Sequence, residues 1–443
     1  MRIWILKASE PTPYDAQLRG SRLFRYGMLS QRAVELGHEV LWWTDDFDHF
    51  HKEHRFGEDR LVEVSTGASY VQFVHTPGYD RNVSPQRLRD HAILARRIEE
   101  MADTHAQPDL ILAGMPSDRL CDTAARLGER YDVPVVLDVR DLWPDVFYQQ
   151  VPTPVRPFVW LATRLIERRV RSAFSRADSV IGNTEAFVRW GLTKAGRDWT
   201  PRDRVVPIGY RRPMLSEEKR RSAQSYWRDQ GVIPEDDALT VCFFGSIGPM
   251  YDFGPILDAA RILLDNRMRV RFVICGKGTE LARLRRRSEG LHNVILPGWV
   301  NTEQIWTLME MSALGIAPYR DNLNFRQNLP NKPAEYLSAS LPFLVSIDGP
   351  MHDLVQEYAC GERYRSGQQL AEVICDYRDT PSQLERERIN AENAFRERLD
   401  AKTIYGELIE HFQLLIRGSA LPGRTSSAAF TVARDRTLNG RER

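Results

Sequence analysis

Leu239-Thr-Val-Cys-Phe-Phe-Gly-Ser-Ile-Gly248 is a six-residue run, apolar except for Thr240, that ends in a glycine-rich turn. Such a run reads as a strand buried on both faces, closing where the chain must bend sharply. The pattern recurs downstream. Val270-Arg-Phe-Val-Ile-Cys275 runs into Gly276-Lys-Gly278, and Val294-Ile-Leu296 runs into Pro297-Gly298; Leu314-Gly-Ile-Ala317 and Phe343-Leu-Val345 follow. Upstream, Ile3 to Leu6, Glu39 to Trp43, Asp109 to Ala113, Val135 to Asp138 and Ser179 to Ile181 repeat it, with a helix expected from about Ser21 to Leu36. Strands that alternate with amphipathic helices predict parallel sheets covered on both faces. A polar stretch, residues 209 to 237, divides the two series. The expected fold is therefore α/β, with two doubly wound Rossmann-like domains facing a cleft, residues 1–209 and 210–400. A C-terminal helix, 401–417, should pack back on the first domain, and the Ser-, Thr-, Ala- and Arg-rich tail 418–443 should be disordered.

A chain of 443 residues is long enough for two cores. Hydrophobic residues at 42% and charged residues at 27% are ordinary for a globular protein. Lys+Arg at 61 against Asp+Glu at 60 leaves +1, which argues against nucleic-acid binding through a protein-wide basic field. Only seven of those 61 are lysines, so each lysine merits individual attention. No segment approaches the roughly 18 apolar residues of a spanning helix, and the apolar opening before Lys7 is too short for a secretory signal. Five cysteines with no CxxC pair predict a reducing, cytoplasmic setting without a disulfide scaffold or structural zinc.

Doubly wound sheets bind ligands beyond the carboxyl ends of their strands, so the loops there and the cleft between the domains are where chemistry is expected. Leu329-Pro-Asn-Lys-Pro-Ala-Glu-Tyr336 is the most informative of these segments. Asn331 reads as an N-cap, with Pro333 and Glu335 in the first turn. The plainer meaning is a capped helix whose acid complements the dipole. The chemical meaning is a diphosphate held by the helix amides and Lys332, with Glu335 accepting from two ribose hydroxyls.

In order along the chain, Arg32 to Val40, Pro134-Val-Val-Leu-Asp-Val-Arg-Asp-Leu-Trp-Pro144, Ala177 to Glu185, Phe244 to Gly248, Ile274 to Glu280, Asn293 to Val300, Leu314 to Tyr319 and Pro330 to Tyr336 together resemble the family 4 retaining glycosyltransferases of the GT-B fold, closest to bacterial members that build surface polysaccharides. The resemblance covers roughly residues 1 to 415. It implies a nucleotide-sugar donor, with a UDP-sugar expected, bound mainly by the second domain. It also implies a glycan or lipid-linked acceptor, no cofactor and no metal. Glu335 matches the second glutamate of the family's paired motif, which places the first at Gln327, an uncharged departure. The usual Arg and Lys after the first strand of the second domain are absent too, since Gly245-Ser246 and Tyr251-Asp252 stand there. Diphosphate charge then falls to Lys332, to the amides of Gly245 to Gly248, or to Arg320 or Arg326. Trp299 and Val300 join the donor-binding set on the same resemblance, as does Gly20 in the loop Arg19-Gly-Ser-Arg22, whose plainer reading is a helix capped by Ser21. Arg140 and Asp141 stand where many relatives carry His-Asp. Arg140 would neutralise a leaving phosphate, its plainer role being an ion pair with Asp138 or Asp141. A nucleotide-sugar 2-epimerase of the same fold and a non-catalytic sugar-binding member are the alternatives.

Four weaker signals remain. His49, His51 and His54 among Asp45, Asp46 and Asp48 read as a solvated loop and not a metal site. Gly276-Lys-Gly278 opens like a dinucleotide fingerprint, but Leu281 replaces its third glycine. Val151 to Arg176 carries apolar residues among arginines, as expected of a core helix with a solvated face or of a peripheral contact with the inner membrane. Arg283-Leu-Arg-Arg-Arg287 reads as a solvated helix face.

Overall fold

A computed structural model describes residues 1–19, 21–81, 84–149, 151–233 and 236–419. Gly20 and all but the first two residues of the expected disordered tail lie outside them. The first sheet has eight strands in the order Arg204–Val205, Ser179–Gly182, Val135–Val139, Leu110–Gly114, Arg2–Leu6, Glu39–Asp45, Ser69–Val74 and Arg60–Ser65. All neighbours are parallel except the last pair. The second sheet has six parallel strands: Val294–Gly298, Val270–Cys275, Leu239–Phe244, Leu314–Ala317, Phe343–Val345 and Gly361–Arg363. In each sheet the first strand lies centrally and the order reverses beside it, which is the doubly wound arrangement with its ligand crevice at the reversal. In the first sheet that point lies between Arg2–Leu6 and Leu110–Gly114, and in the second between Leu239–Phe244 and Leu314–Ala317.

The apolar runs are strands because both faces are covered. Val135–Val139 and Leu110–Gly114 are buried at every position, and the first sheet separates two cores while a third fills the second domain. The helix Ala401–Ser419 belongs to the first domain's core, where Tyr405, Leu408 and Phe412 join Ile3, Leu112 and Ile181. The chain therefore crosses between sheets twice, and the crossings are bonded together. Tyr210 N donates to Leu399 O at 2.9 Å, and Ala401 N to Tyr210 O at 3.1 Å. Gly209 is small by necessity here, since a Cβ would sit 2.7 Å from Ala401 Cα.

The structure corrects the sequence reading at one helix start and adds two elements to it. The first-domain helix begins at Arg25, not near Ser21, because residues 21–24 are not helical and Phe24 holds the N-cap position without a side-chain bond. The stretch before it contains the helix Pro13–Arg19, whose start is closed reciprocally: Thr12 N donates to Asp15 Oδ2 at 2.8 Å, and Asp15 N to Thr12 Oγ1 at 3.3 Å. The hairpin Arg60–Ser65/Ser69–Val74 completes the sheet edge where no strand was expected.

Candidate active site

The end of the strand Leu239–Phe244 and the start of the helix Asn331–Ser338 meet at the second domain's reversal point. Tyr336 fixes the helix there. Its hydroxyl donates to Ile316 O at 2.9 Å and lies 3.3 Å from Cys242 O, so it spans the two central strands. Gly315 permits this, since a Cβ at that position would lie 2.6 Å from the Tyr336 ring. Lys332 and Glu335, three positions apart, share the face turned to the cleft. Lys332 is 5% exposed. Its ammonium donates to Phe244 O, lies 4.6 Å from the Phe243 ring centre and 4.8 Å from that of Phe244, and makes no ion pair among the described residues. A Cβ on Gly245 (φ +147°) would come within 2.9 Å of Nζ, so Lys332 lies directly against the glycine-rich turn.

The amides of that turn are largely committed, contrary to the sequence expectation. Gly245 N donates to Cys275 O at 3.0 Å, Ile247 N to Lys277 O at 2.8 Å and Gly248 N to Ser246 O at 3.1 Å. The two turns pack backbone to backbone, which explains Gly276 and Gly278. A Cβ would lie 1.8 Å from Gly245 O in the first case and 2.2 Å from Ile247 O in the second. These glycines serve loop packing, not a dinucleotide. At the helix start, Pro330 and not Asn331 occupies the N-cap position, and no side chain caps it. The amides of Asn331 and Lys332 make no hydrogen bond among the described residues and remain open to an anion.

Glu335, 3% exposed, is hydrogen-bonded by Arg22 of the first domain. Burial works against the Arg22 charge, but the carboxylate outweighs it and raises the guanidinium pKa. Arg22 also lies over the Tyr210 ring at 5.5 Å, so it bridges the domains. Gln327 ends the short helix Leu323–Gln327, and its carbonyl accepts from Thr184 Oγ1 at 2.6 Å. Its side chain is half-buried and makes no hydrogen bond among the described residues. Arg326 pairs with Asp321, and Arg320 Nε donates to Tyr251 O at 3.1 Å. Arg320 lines a cavity of about 210 Å³ with Arg283 and Arg287 that contains neither Lys332 nor Glu335. Ser246 is exposed at the turn. Trp299, 63% exposed, projects from the sheet edge with Lys277 Nζ 5.8 Å from its ring, while Val300 is buried; among the described residues, neither makes a hydrogen bond, ion pair or ring contact with Lys332 or Glu335.

Across the cleft, Arg140 bonds neither Asp138 nor Asp141. Its Nη1 donates to Glu10 Oε2 at 2.9 Å, and despite burial the Glu10 charge holds its pKa up. Asp138 is taken by Arg25 Nε at 2.7 Å and Tyr26 Oη at 2.8 Å. Asp141 accepts from Leu142 N at 3.0 Å, and burial raises its pKa. Beside them Lys7 donates to Met115 O at 2.9 Å, its pKa lowered to about 8 by burial and by Arg140. Glu10 and Lys7 follow the first strand, and position at its carboxyl end was the signal that could have singled them out.

Two family models divide the chain between them: "Glycosyltransferase Family 4" matches residues 27–209 and "Glycosyl transferases group 1" matches 224–394. This chain is a GT-B glycosyltransferase of the family 4 type. Among solved structures, HepE from Anabaena in complex with UDP and glucose is 18% identical, with a TM-score of 0.64 over 94% of this chain and 100% of that one. A sucrose-phosphate synthase from Thermosynechococcus elongatus is 14% identical, with a TM-score of 0.64 over 94% and 100%. A trehalose-6-phosphate protein from E. coli bound with UDP-2-fluoro glucose is 13% identical, with a TM-score of 0.65 over 93% and 99%. At such identities the likeness concerns the fold. A search of curated protein sequences returned no match.

Proposed function

We propose that this glycosyltransferase moves a sugar, with retention, from a nucleotide diphosphate sugar to a glycan or lipid-linked acceptor in surface polysaccharide biosynthesis, at the cytoplasmic face of the inner membrane. The second domain is the donor side and the first the acceptor side. One observation carries the donor reading: a buried lysine with no carboxylate partner among the described residues lies against a glycine turn, one helical turn from a buried glutamate. A cation so placed is costly without an anion, and a diphosphate supplies one. The structural neighbours bound to UDP and UDP-sugars support UDP as the nucleotide.

In this reading Lys332 and the open amides of Asn331 and Lys332 take the diphosphate, and Glu335 exchanges Arg22 for the ribose hydroxyls. Arg140, held in place by Glu10, meets charge developing on the leaving phosphate. Gln327 orients by hydrogen bonding alone. Retention fits a cleft whose carboxylates are engaged: Glu335 by Arg22, and Glu10 by Arg140 and Tyr26 N. Same-face attack then leaves deprotonation of the acceptor hydroxyl to the departing phosphate, and the protein contributes position and field.

The membrane part rests on the helix Arg156–Ser175. Thr163, Ile166, Val170 and Phe174 face the core, but Phe158, Leu161 and Leu165 form a second stripe, 74%, 62% and 64% exposed. Arg164 lies over the exposed Trp160 ring at 5.7 Å. Apolar side chains set among arginines suit an anionic lipid surface. Among the described residues, no helix is long and apolar enough to cross a membrane.

Thermal-shift measurements with UDP, GDP, ADP, their sugars and NAD test the donor. Stabilisation by one nucleotide diphosphate, lost in Glu335→Gln, is expected; stabilisation by NAD alone would refute the reading. Donor consumed without an acceptor would point to the epimerase, and binding without turnover to a non-catalytic member.

A further inference from the structure

Two clusters of metal-ligating side chains lie at the carboxyl edge of the first sheet, and they differ in one respect. Asp46, buried, is satisfied. Its Oδ1 is 3.0 Å from His54 Nδ1, while Oδ2 lies 3.1 Å from His75 Nδ1 and accepts from Gly57 N at 2.9 Å. The neighbouring cluster is not satisfied. Asp45 ends the strand Glu39–Asp45, and Asp90 and His91 are consecutive on the helix Pro85–Met101. They are 1%, 1% and 7% exposed. Each offers one ligand atom, and the three atoms lie within 4.8 Å of one another. Yet Asp45 Oδ2, Asp90 Oδ2 and His91 Nε2 make no hydrogen bond among the described residues. The other two carboxylate oxygens are held, since Asp45 Oδ1 accepts from Thr44 Oγ1 at 3.2 Å and Asp90 Oδ1 from Gly78 N at 2.7 Å. Each carboxylate is thus fixed by one oxygen and presents the other.

Two buried carboxylates side by side without a counterion are costly. The usual remedy, an arginine, is engaged elsewhere: Arg55, whose charge acts on Asp45, donates to both oxygens of Asp15 at 2.7 and 3.0 Å. A proton is a second remedy, and burial and Asp90 push Asp45 up to about 7. That proton would serve the carboxylates and leave His91 Nε2 unused. A divalent ion uses all three atoms, because two carboxylates cancel its charge and a neutral imidazole completes the set. Burial and the charges of Arg87 and Lys7 keep the His91 ring in that neutral form. Atoms bound to one ion at about 2.0–2.2 Å lie about 3–4 Å apart, a spacing that three atoms within 4.8 Å reach by a small closing movement.

We propose that Asp45, Asp90 and His91 hold a divalent transition-metal ion, zinc or manganese, that clamps the helix Pro85–Met101 to the end of the strand Glu39–Asp45. The mixed oxygen and nitrogen set favours such an ion over calcium or magnesium, which take oxygen ligands. The ion is structural and separate from donor chemistry, since Lys332 and Glu335 belong to the other domain. None of His49, His51 and His54 is a ligand. The site stands or falls independently of the transferase reading.

The test strips the full chain with EDTA, exchanges it into metal-free buffer, and titrates it calorimetrically with zinc chloride and separately with manganese chloride. One equivalent is expected to bind and to raise Tm. Asp45→Asn and His91→Gln should each weaken binding about tenfold or more, because changes even outside the ligand set cost that much. In EDTA, Asp45→Asn should melt no lower than the parent: Asn still accepts from Thr44, and one of two crowded carboxylates is gone. A lower Tm there would show that Asp45 is paired within the protein and would overturn the proposal. Asp45→Asn also keeps the test open should His91→Gln fail to fold. His75→Gln, in the satisfied cluster, should leave binding unchanged. If neither ion binds, or if binding survives both Asp45→Asn and His91→Gln, the proposal is wrong. Binding lost in His75→Gln but kept in His91→Gln would move the ion to Asp46 and overturn it as well.

Discussion

Arg22 and Glu335 should have opposite effects on donor affinity. Glu335 is 4% exposed at its side chain and Arg22 26%, so their pair is largely desolvated and spans the cleft. Two unit charges about 4 Å apart attract by about 4 kcal/mol at the effective dielectric of such sites. Desolvation consumes part of this, leaving a net value of about 1–2 kcal/mol for a pair one member of which reaches water. If donor ribose and Arg22 compete for one carboxylate, Arg22→Met releases that carboxylate and UDP should bind about tenfold more tightly. Glu335→Gln instead loses the charged acceptor of two hydroxyls and should weaken UDP by about thirtyfold, near 2 kcal/mol. Calorimetric titration of UDP into both single variants and the double variant measures this directly. The double variant should resemble Glu335→Gln, because Arg22 then has nothing to compete for. If Arg22→Met weakens UDP binding, Arg22 holds the donor, and the competition argument is wrong.

Lys332→Met, similar in volume and apolar beneath the Phe243 and Phe244 rings, should leave Tm unchanged or raised while UDP affinity falls at least about tenfold, read by paired thermal melts and titration. Gly276→Ala (φ +148°) drives a Cβ into Gly245 O and should cost about 2 kcal/mol or more in denaturant unfolding, with loss of UDP binding as the turn moves off Lys332. His91, buried, is lowered to about 3 by burial and by the charges of Arg87 and Lys7. The unfolded chain therefore binds its proton first, and stability falls as pH drops below about 6.5, by about 2 kcal/mol at pH 5. Asp45, raised to about 7, acts in the opposite direction, so the measurement is the difference between the parent and His91→Gln across pH 5 to 7 in denaturant melts.

The doubly wound architecture was legible in the sequence because burial on both faces leaves a mainly apolar run, interrupted only by Thr240 in Leu239–Phe244 and by Asp138 in Val135–Val139. The edge hairpin was not, because Arg60–Ser65 is largely exposed and carries no such run. Lys332 and Glu335 could be picked out because helix spacing is local: three residues apart, they must share a face. The composition likewise argued against a protein-wide basic field for nucleic acid, since net charge is a sum over the chain and needs no tertiary contact. What the chain order could not show was which distant segments meet. That Arg22 lies 313 residues from the carboxylate it binds, that Arg140 chooses Glu10 over its neighbours Asp138 and Asp141, that the amides of Gly245 to Gly248 are spent on a second glycine turn, and that Asp45 meets Asp90 and His91 are all decided by strand order and loop packing. Secondary structure follows from near neighbours, whereas ion-pair choice and amide availability depend on what tertiary packing brings within about 3 Å.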